Sequence, residues 1–67
     1  MIEVIINGVA EQLAEPASVA SLLAARDLVG KRVAVERNGE IVPKSRHAET
    51  PLAQGDRIEI VVAVGGG

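Results

Sequence analysis

The chain has 67 residues, of which 48% are hydrophobic and none is aromatic, and its formal net charge is −2. This length allows one small domain with a core of Val, Ile, Leu and Ala, and the charge argues against the dense basic surface that nucleic acid binding requires. Cysteine is absent, which excludes disulfides, thiolate metal ligands and a thiol nucleophile. No apolar run approaches the ~20 residues needed to span a membrane, and no signal peptide is evident, so a cytoplasmic location is expected. The protein is expected to be a monomer when it is free of its partners.

The chain begins with a predicted β-hairpin. Ile2–Ile6 is rich in β-branched residues and alternates around Glu3, which predicts a strand with Ile2, Val4 and Ile6 facing inward and Ile5 facing outward. Asn7-Gly8 is a strong signal for a two-residue turn, because both positions of a type I′ turn need positive φ. The return strand, 9–13, alternates imperfectly, as is typical of an edge strand.

A short helix follows the hairpin. Ser18 can cap a helix that begins at Val19, and Val19, Leu22 and Leu23 then form one apolar stripe. We expect the helix to fade near Asp27 and the turn after it to end at Gly30.

The second half of the chain predicts three more strands. Residues 33–37 and 40–42 flank the turn Asn38-Gly39, and the second of these strands stops at Pro43. Residues 44–50 are polar and are expected to run over the surface, followed by a short 3₁₀ turn at Pro51-Leu52, with Leu52 closing the core. After the turn at 54–56, Arg57–Val62 is the clearest strand, with Ile58, Ile60 and Val62 facing inward.

The order of these elements predicts an α+β fold. Two hairpins flank one helix, and the natural place for the last strand is between the hairpins, parallel to the first strand. This is the β-grasp (ubiquitin-like) architecture, a mixed sheet of about five strands packed on one helix. We therefore expect a β-grasp domain over 1–64 and a flexible glycine tail over 65–67, leaving from a central strand.

No constellation of side chains predicts catalysis or metal binding. His47 is the only histidine and is expected to be a solvated loop residue, because no partner ligand accompanies it. Ser18 is interpreted as a helix cap and Asp56 as a turn residue. The remaining feature is the tail Gly65-Gly66-Gly67, whose last residue is expected to bear the free α-carboxylate of the chain end.

The resemblance to a known family lies in three segments. Val33–Pro43 (VAVERNGEIVP), Leu52–Ile60 (LAQGDRIEI) and Val64–Gly67 (VGGG) are similar to ThiS-type sulfur carriers of thiamine biosynthesis, which are ubiquitin-like proteins. One departure is that family members often carry an aromatic residue near the position of His47, and its loss concerns a local packing contact.

The resemblance implies a protein co-substrate and not an enzyme. An E1-like adenylyltransferase would use ATP and Mg²⁺ to adenylylate Gly67, and a sulfur donor such as a cysteine desulfurase relay would convert it to a thiocarboxylate. Thiazole synthase would then take the sulfur, and the carrier itself would bind no cofactor. Gly65 and Gly66, which have no side chains, would let the tail enter a narrow channel of the partner enzyme. A carrier for molybdopterin or another thiolated product, and a non-covalent interaction module, remain alternatives.

A docking surface is predicted on the sheet face away from the helix. Ile5 and Val61 should lie there on neighbouring strands, with Ala34 or Ile41 as further members. Contiguous exposed apolar surface on a small domain often marks a partner site.

Overall fold

The computed structural model describes residues 1–63, and these form one five-stranded mixed sheet covered on one face by a helix. The strands run in the order β2-β1-β5-β3-β4, which confirms the predicted α+β, β-grasp arrangement. Within these residues no helix is long and apolar enough to cross a membrane. The elements are β1 (Ile2–Ile6), β2 (Val9–Leu13), α1 (Val19–Ala25), β3 (Val33–Arg37), β4 (Glu40–Val42), a 3₁₀ helix (Lys44–Glu49) and β5 (Arg57–Val62).

The two hairpins form as the Asn-Gly pairs predict. Asn7 and Gly8 have φ of 50° and 84°, and Asn38 and Gly39 have φ of 52° and 85°. Positive φ at both central residues matches the right-handed twist of the flanking strands. The edge position predicted for β2 is also confirmed.

Strand β5 joins the two hairpins into one sheet. It pairs parallel with β1, where Ile5 lies opposite Arg57, and antiparallel with β3, where Val33 lies opposite Val62. The hydrogen bond from Asn7 N to the Ile58 carbonyl, 2.9 Å long, belongs to the junction with β1. The strand that leads toward the C-terminus is therefore central and is held on both sides.

Helix α1 begins with a reciprocal capping box. Ser18 Oγ accepts a hydrogen bond from Ser21 N at 3.1 Å, and Ser21 Oγ accepts one from Ser18 N at 2.8 Å. These bonds satisfy backbone donors that have no partner within the helix. The helix ends at Ala25, two residues before the expected Asp27.

The core lies between the helix and the inner face of the sheet and is aliphatic throughout. The buried apolar residues are Ile2, Val4, Ile6, Val19, Leu22, Leu23, Val35, Val42, Leu52, Ile58 and Ile60. Leu52 closes the core as predicted, although Pro51 forms a bridge with Ser18 in place of the expected 3₁₀ turn.

Two predictions about the second half were wrong. His47 is not solvated: the polar segment after Pro43 is a 3₁₀ helix that packs against α1, and His47 within it is only 8% exposed, while residues 44–46, 48 and 49 lie at the surface as expected. His47 Nε2 lies 3.2 Å from the Val42 carbonyl oxygen, which can accept its N–H. The predicted inward residue Val62 is 44% exposed, because a helix of seven residues is only about 10 Å long and does not cover the end of the sheet.

Candidate functional site

The glycine tail Gly65-Gly66-Gly67, the site predicted from the sequence, lies outside the described residues. The structure shows its base. Strand β5 ends at Val62, and the next residue, Ala63, donates its backbone N–H to the Arg32 carbonyl at 2.9 Å. The chain is thus fixed in the sheet up to four residues before Gly67.

An asparagine side chain extends the pairing of β5 beyond the end of β1. Asn7 Oδ1 accepts a hydrogen bond from Ile60 N at 2.8 Å, and Asn7 Nδ2 donates to the Ile60 carbonyl at 3.2 Å. The amide of Asn7 therefore replaces the backbone of a neighbouring strand. The hairpin signal identified Asn7 as a turn residue, but its second role depends on a residue that is 53 positions away.

A buried carboxylate fixes the start of β5. Asp56 is 6% exposed, and its Oδ2 accepts from Arg37 Nε and from Ala53 N, both at 2.8 Å. Its Oδ1 accepts from Asn38 Nδ2 at 3.0 Å. Burial raises the pKa of this carboxyl, but the hydrogen bonds from Asn38, Arg37 and Ala53 lower it more, so that the pKa lies below its ordinary value of 3.8.

The second hairpin is attached to β5 in the same way as the first. Asn38 Oδ1 accepts from Arg57 N at 2.9 Å, and Asn38 N donates to the Arg57 carbonyl at 2.7 Å. Each Asn-Gly turn therefore makes its strand reversal and also binds the strand that carries the tail. The sequence signal for these contacts was the Asn-Gly dipeptide at both turns. That dipeptide predicts a turn but does not indicate that the Asn side chain binds β5.

The predicted docking residues are on one face but not together. Strands β1 and β5 are neighbours as expected, but Ile5 lies opposite Arg57, and Val61 is four residues further, about 13 Å along the strand. Val61, which is 62% exposed, lies directly opposite Ala34, and Ile41 lies in the next row opposite Glu36. The exposed apolar patch therefore centres on Val61 and Ala34, with Ile41 at its edge beside Glu36, and it does not include Ile5.

The other polar residues considered from the sequence have structural roles. Ser18 caps α1, and His47 is the buried residue of the 3₁₀ helix, with its Nε2 beside the Val42 carbonyl. Among residues 1–63, no three His, Cys, Asp or Glu side chains gather in a way that could hold a metal ion. What the described residues show is that β5, the strand leading toward the predicted tail, is held between β1 and β3.

Comparison with known proteins gives consistent matches. The profile of the ThiS family matches residues 4–67. The sulfur carrier protein ThiS of Bacillus subtilis strain 168 is 50% identical over 50 residues, which cover 75% of this chain and 76% of that protein. A solved structure of the thiamine biosynthesis protein ThiS from Geobacter metallireducens has a TM-score of 0.82 at 30% identity, covering 98% of this chain and all of that one.

A longer relative also matches. A thiazole synthase of Paramagnetospirillum magneticum is 42% identical over 65 residues, or 97% of this chain. The chain spans only 20% of the length of that protein, so the likeness concerns one segment of it.

Proposed function

Since this chain belongs to the ThiS family, it is a sulfur carrier protein of thiamine biosynthesis and a protein co-substrate, and we propose that Gly67 is the residue that carries the sulfur. The observation that carries this proposal is the family match, which runs through the tail to Gly67. The proposal requires Gly67 to end the mature chain, because its α-carboxylate is the reacting group.

The reaction begins with a carboxylate, which is a poor acyl electrophile. A Gly67 oxygen attacks the α-phosphate of MgATP in an E1-like adenylyltransferase, and pyrophosphate leaves. The terminal sulfur of a persulfide on a donor such as a cysteine desulfurase relay then attacks the acyl carbon, and AMP leaves to give an acyl disulfide. A second thiol of the donor attacks the donor-side sulfur of that bond, which forms a donor disulfide and releases the Gly67 thiocarboxylate. Passing through a covalent intermediate replaces one difficult step by easier ones.

The carrier supplies position and access, and its partners supply the catalytic groups. ATP and Mg²⁺ belong to the adenylyltransferase, and the carrier holds no cofactor of its own. Gly65 and Gly66 allow the backbone to enter a narrow channel because they have no Cβ. Four residues beyond Ala63 reach about 13 Å when extended, so the body of the domain docks outside. Because activation consumes ATP, a cytoplasmic location is part of the proposal.

Thiazole synthase is the proposed acceptor of the sulfur. The support is the Paramagnetospirillum magneticum thiazole synthase, a single chain with a segment resembling this carrier. A carrier and the enzyme that it supplies benefit from proximity, which raises their effective concentration.

The outer face around Val61 is the proposed docking surface for the adenylyltransferase. Val61 and Ala34 lie side by side near the base of the tail. We expect Val61→Glu to weaken the complex at least tenfold, because a carboxylate would be desolvated in the contact. Ile5→Glu, on the same face but beside Arg57, is the comparison, and equal effects would remove the special role of Val61.

Intact mass spectrometry tests the carrier role directly. The protein is incubated with its adenylyltransferase, MgATP and a sulfur source, and we expect a mass gain equal to the replacement of one oxygen by sulfur, located on Gly67 by fragmentation. A variant with one alanine added after Gly67 should show no gain. No gain in the wild type, or a gain at another residue, would contradict the proposal. Turnover with thiazole synthase but not with molybdopterin synthase then identifies the pathway.

A further inference from the structure

An apolar groove of about 540 Å³ opens at the end of the sheet where β3 begins and β5 ends. Its floor includes Leu23 of α1, Leu28 of the following loop and Val33 of β3. The groove exists because α1 is short and no aromatic side chain is present to fill the space beyond it. Val29 at its edge is 71% exposed.

The charges around this groove are all of one sign. Lys31, Arg32 and Lys44 line it, and no Asp or Glu does. Within residues 1–63 these three cations form no ion pair, as is also true of Arg46 and Arg57, whereas Arg26 pairs with Glu11 and Arg37 pairs with Asp56. A chain with a net charge of −2 and seven Lys and Arg thus gathers three of its cations at one apolar opening.

The groove adjoins the base of the tail. Ala63 lines it and is hydrogen-bonded to Arg32, and Val61 joins it to the exposed patch on the outer face. Any enzyme that takes the tail into its active site must cover the surface from which the tail leaves. The groove is therefore continuous with the docking surface proposed above.

We propose that this groove is a second docking site for the adenylyltransferase, filled by a bulky apolar side chain that is flanked by carboxylates. The inference rests on the proposed carrier function. Interface hot spots are buried anchor side chains in pockets, and complementary charges at the rim accelerate association and fix register. The adenylyltransferase is the occupant because it must recognise the carrier before the tail is activated, so its affinity comes from the body of the domain.

The test compares paired variants in steady-state adenylylation, which is measured by ATP–pyrophosphate exchange. Lys44→Glu reverses a charge at the groove, and Arg46→Glu makes the same change two residues away on the exposed side of the same 3₁₀ helix, outside the groove. Val29→Asp places a carboxylate at the groove, and Val9→Asp places one on the distant edge strand β2, where Val9 is 60% exposed. All four positions are exposed, and circular dichroism verifies that each variant is folded.

We expect Lys44→Glu and Val29→Asp to raise the KM for the carrier about tenfold with kcat unchanged. Arg46→Glu and Val9→Asp should stay within about twofold of the wild type. The KM of the wild type should rise with salt, because salt screens the attraction between the groove cations and the carboxylates of the partner. The KM of Lys44→Glu should rise less, because part of that attraction is already missing in the variant. Groove variants that match their controls would overturn the proposal.

A binding measurement by calorimetry, without ATP, separates this inference from the carrier function. If the wild type binds the enzyme through the groove but is not adenylylated, the proposed function alone fails. If the wild type is adenylylated and the groove variants bind normally, the groove inference alone fails. If the groove variants lose affinity for thiazole synthase only, the choice of occupant is wrong. Absence of any binding by the wild type would overturn both.

Discussion

Asp56 offers the sharpest test of how the tail-bearing strand is held. In Asp56→Asn the amide oxygen can still accept from Arg37 and Ala53, but the N–H₂ group then faces the donor Asn38 Nδ2. One charge-assisted hydrogen bond is lost, and the other two lose their charge assistance. At about 1.5 kcal/mol for the lost bond and about 0.75 kcal/mol for each bond that becomes neutral, the loss is about 3 kcal/mol.

This loss is large for so small a domain. A domain of this size has a free energy of unfolding of about 3–10 kcal/mol. At ~4–8 °C per kcal/mol, Asp56→Asn should lower the Tm by about 12–24 °C. Urea and thermal unfolding followed by circular dichroism measure both quantities. Asp27→Asn is the matched control, because Asp27 is exposed with φ of 59°, a conformation that Asn tolerates.

The pH dependence gives an independent check on the same carboxylate. Its pKa in the folded state lies below 3.8, so its contribution is fully present above the unfolded value and is lost as the pH falls through the folded value. The difference between wild type and Asp56→Asn should be constant above about pH 5 and shrink below about pH 4. A stability loss no larger than that of Asp27→Asn, or a difference that does not change in acid, would refute this account.

Three further perturbations test the core, the helix start and the tail. Ile58→Ala should cost about 2–5 kcal/mol in urea unfolding because Ile58 is 1% exposed on the central strand, and a cost below that of Val9→Ala would contradict the packing. Ser18→Ala removes one half of the capping box and should cost about 1 kcal/mol; an unchanged urea midpoint would show that the cap is dispensable. Gly66→Val should abolish ATP–pyrophosphate exchange while leaving the Tm unchanged, and normal exchange by this variant would reject the narrow-channel argument.

The sequence by itself determined the local elements and predicted a role for the glycine tail. Asn-Gly pairs favour positive φ, Ser18 caps the residues beside it, and alternation within Ile2–Ile6 assigns the faces of a strand; each depends on neighbours within a few residues. The order of these elements then left one good position for β5. The tail was identified by composition and by family resemblance, and Gly67 remains a prediction from the sequence.

Only the tertiary structure decided which distant groups meet. The register between β1 and β5 placed Ile5 beside Arg57, and the register between β3 and β5 placed Val61 beside Ala34. The burial of His47 and Asp56, the binding of Asn7 to Ile60, and the uncovered Val62 all follow from how α1, the 3₁₀ helix and the sheet pack. Period-two alternation specifies which face of the sheet a side chain occupies, but it does not specify which residue of the neighbouring strand lies opposite. Contacts across more than 50 positions are set by packing of the whole domain, which no local pattern encodes.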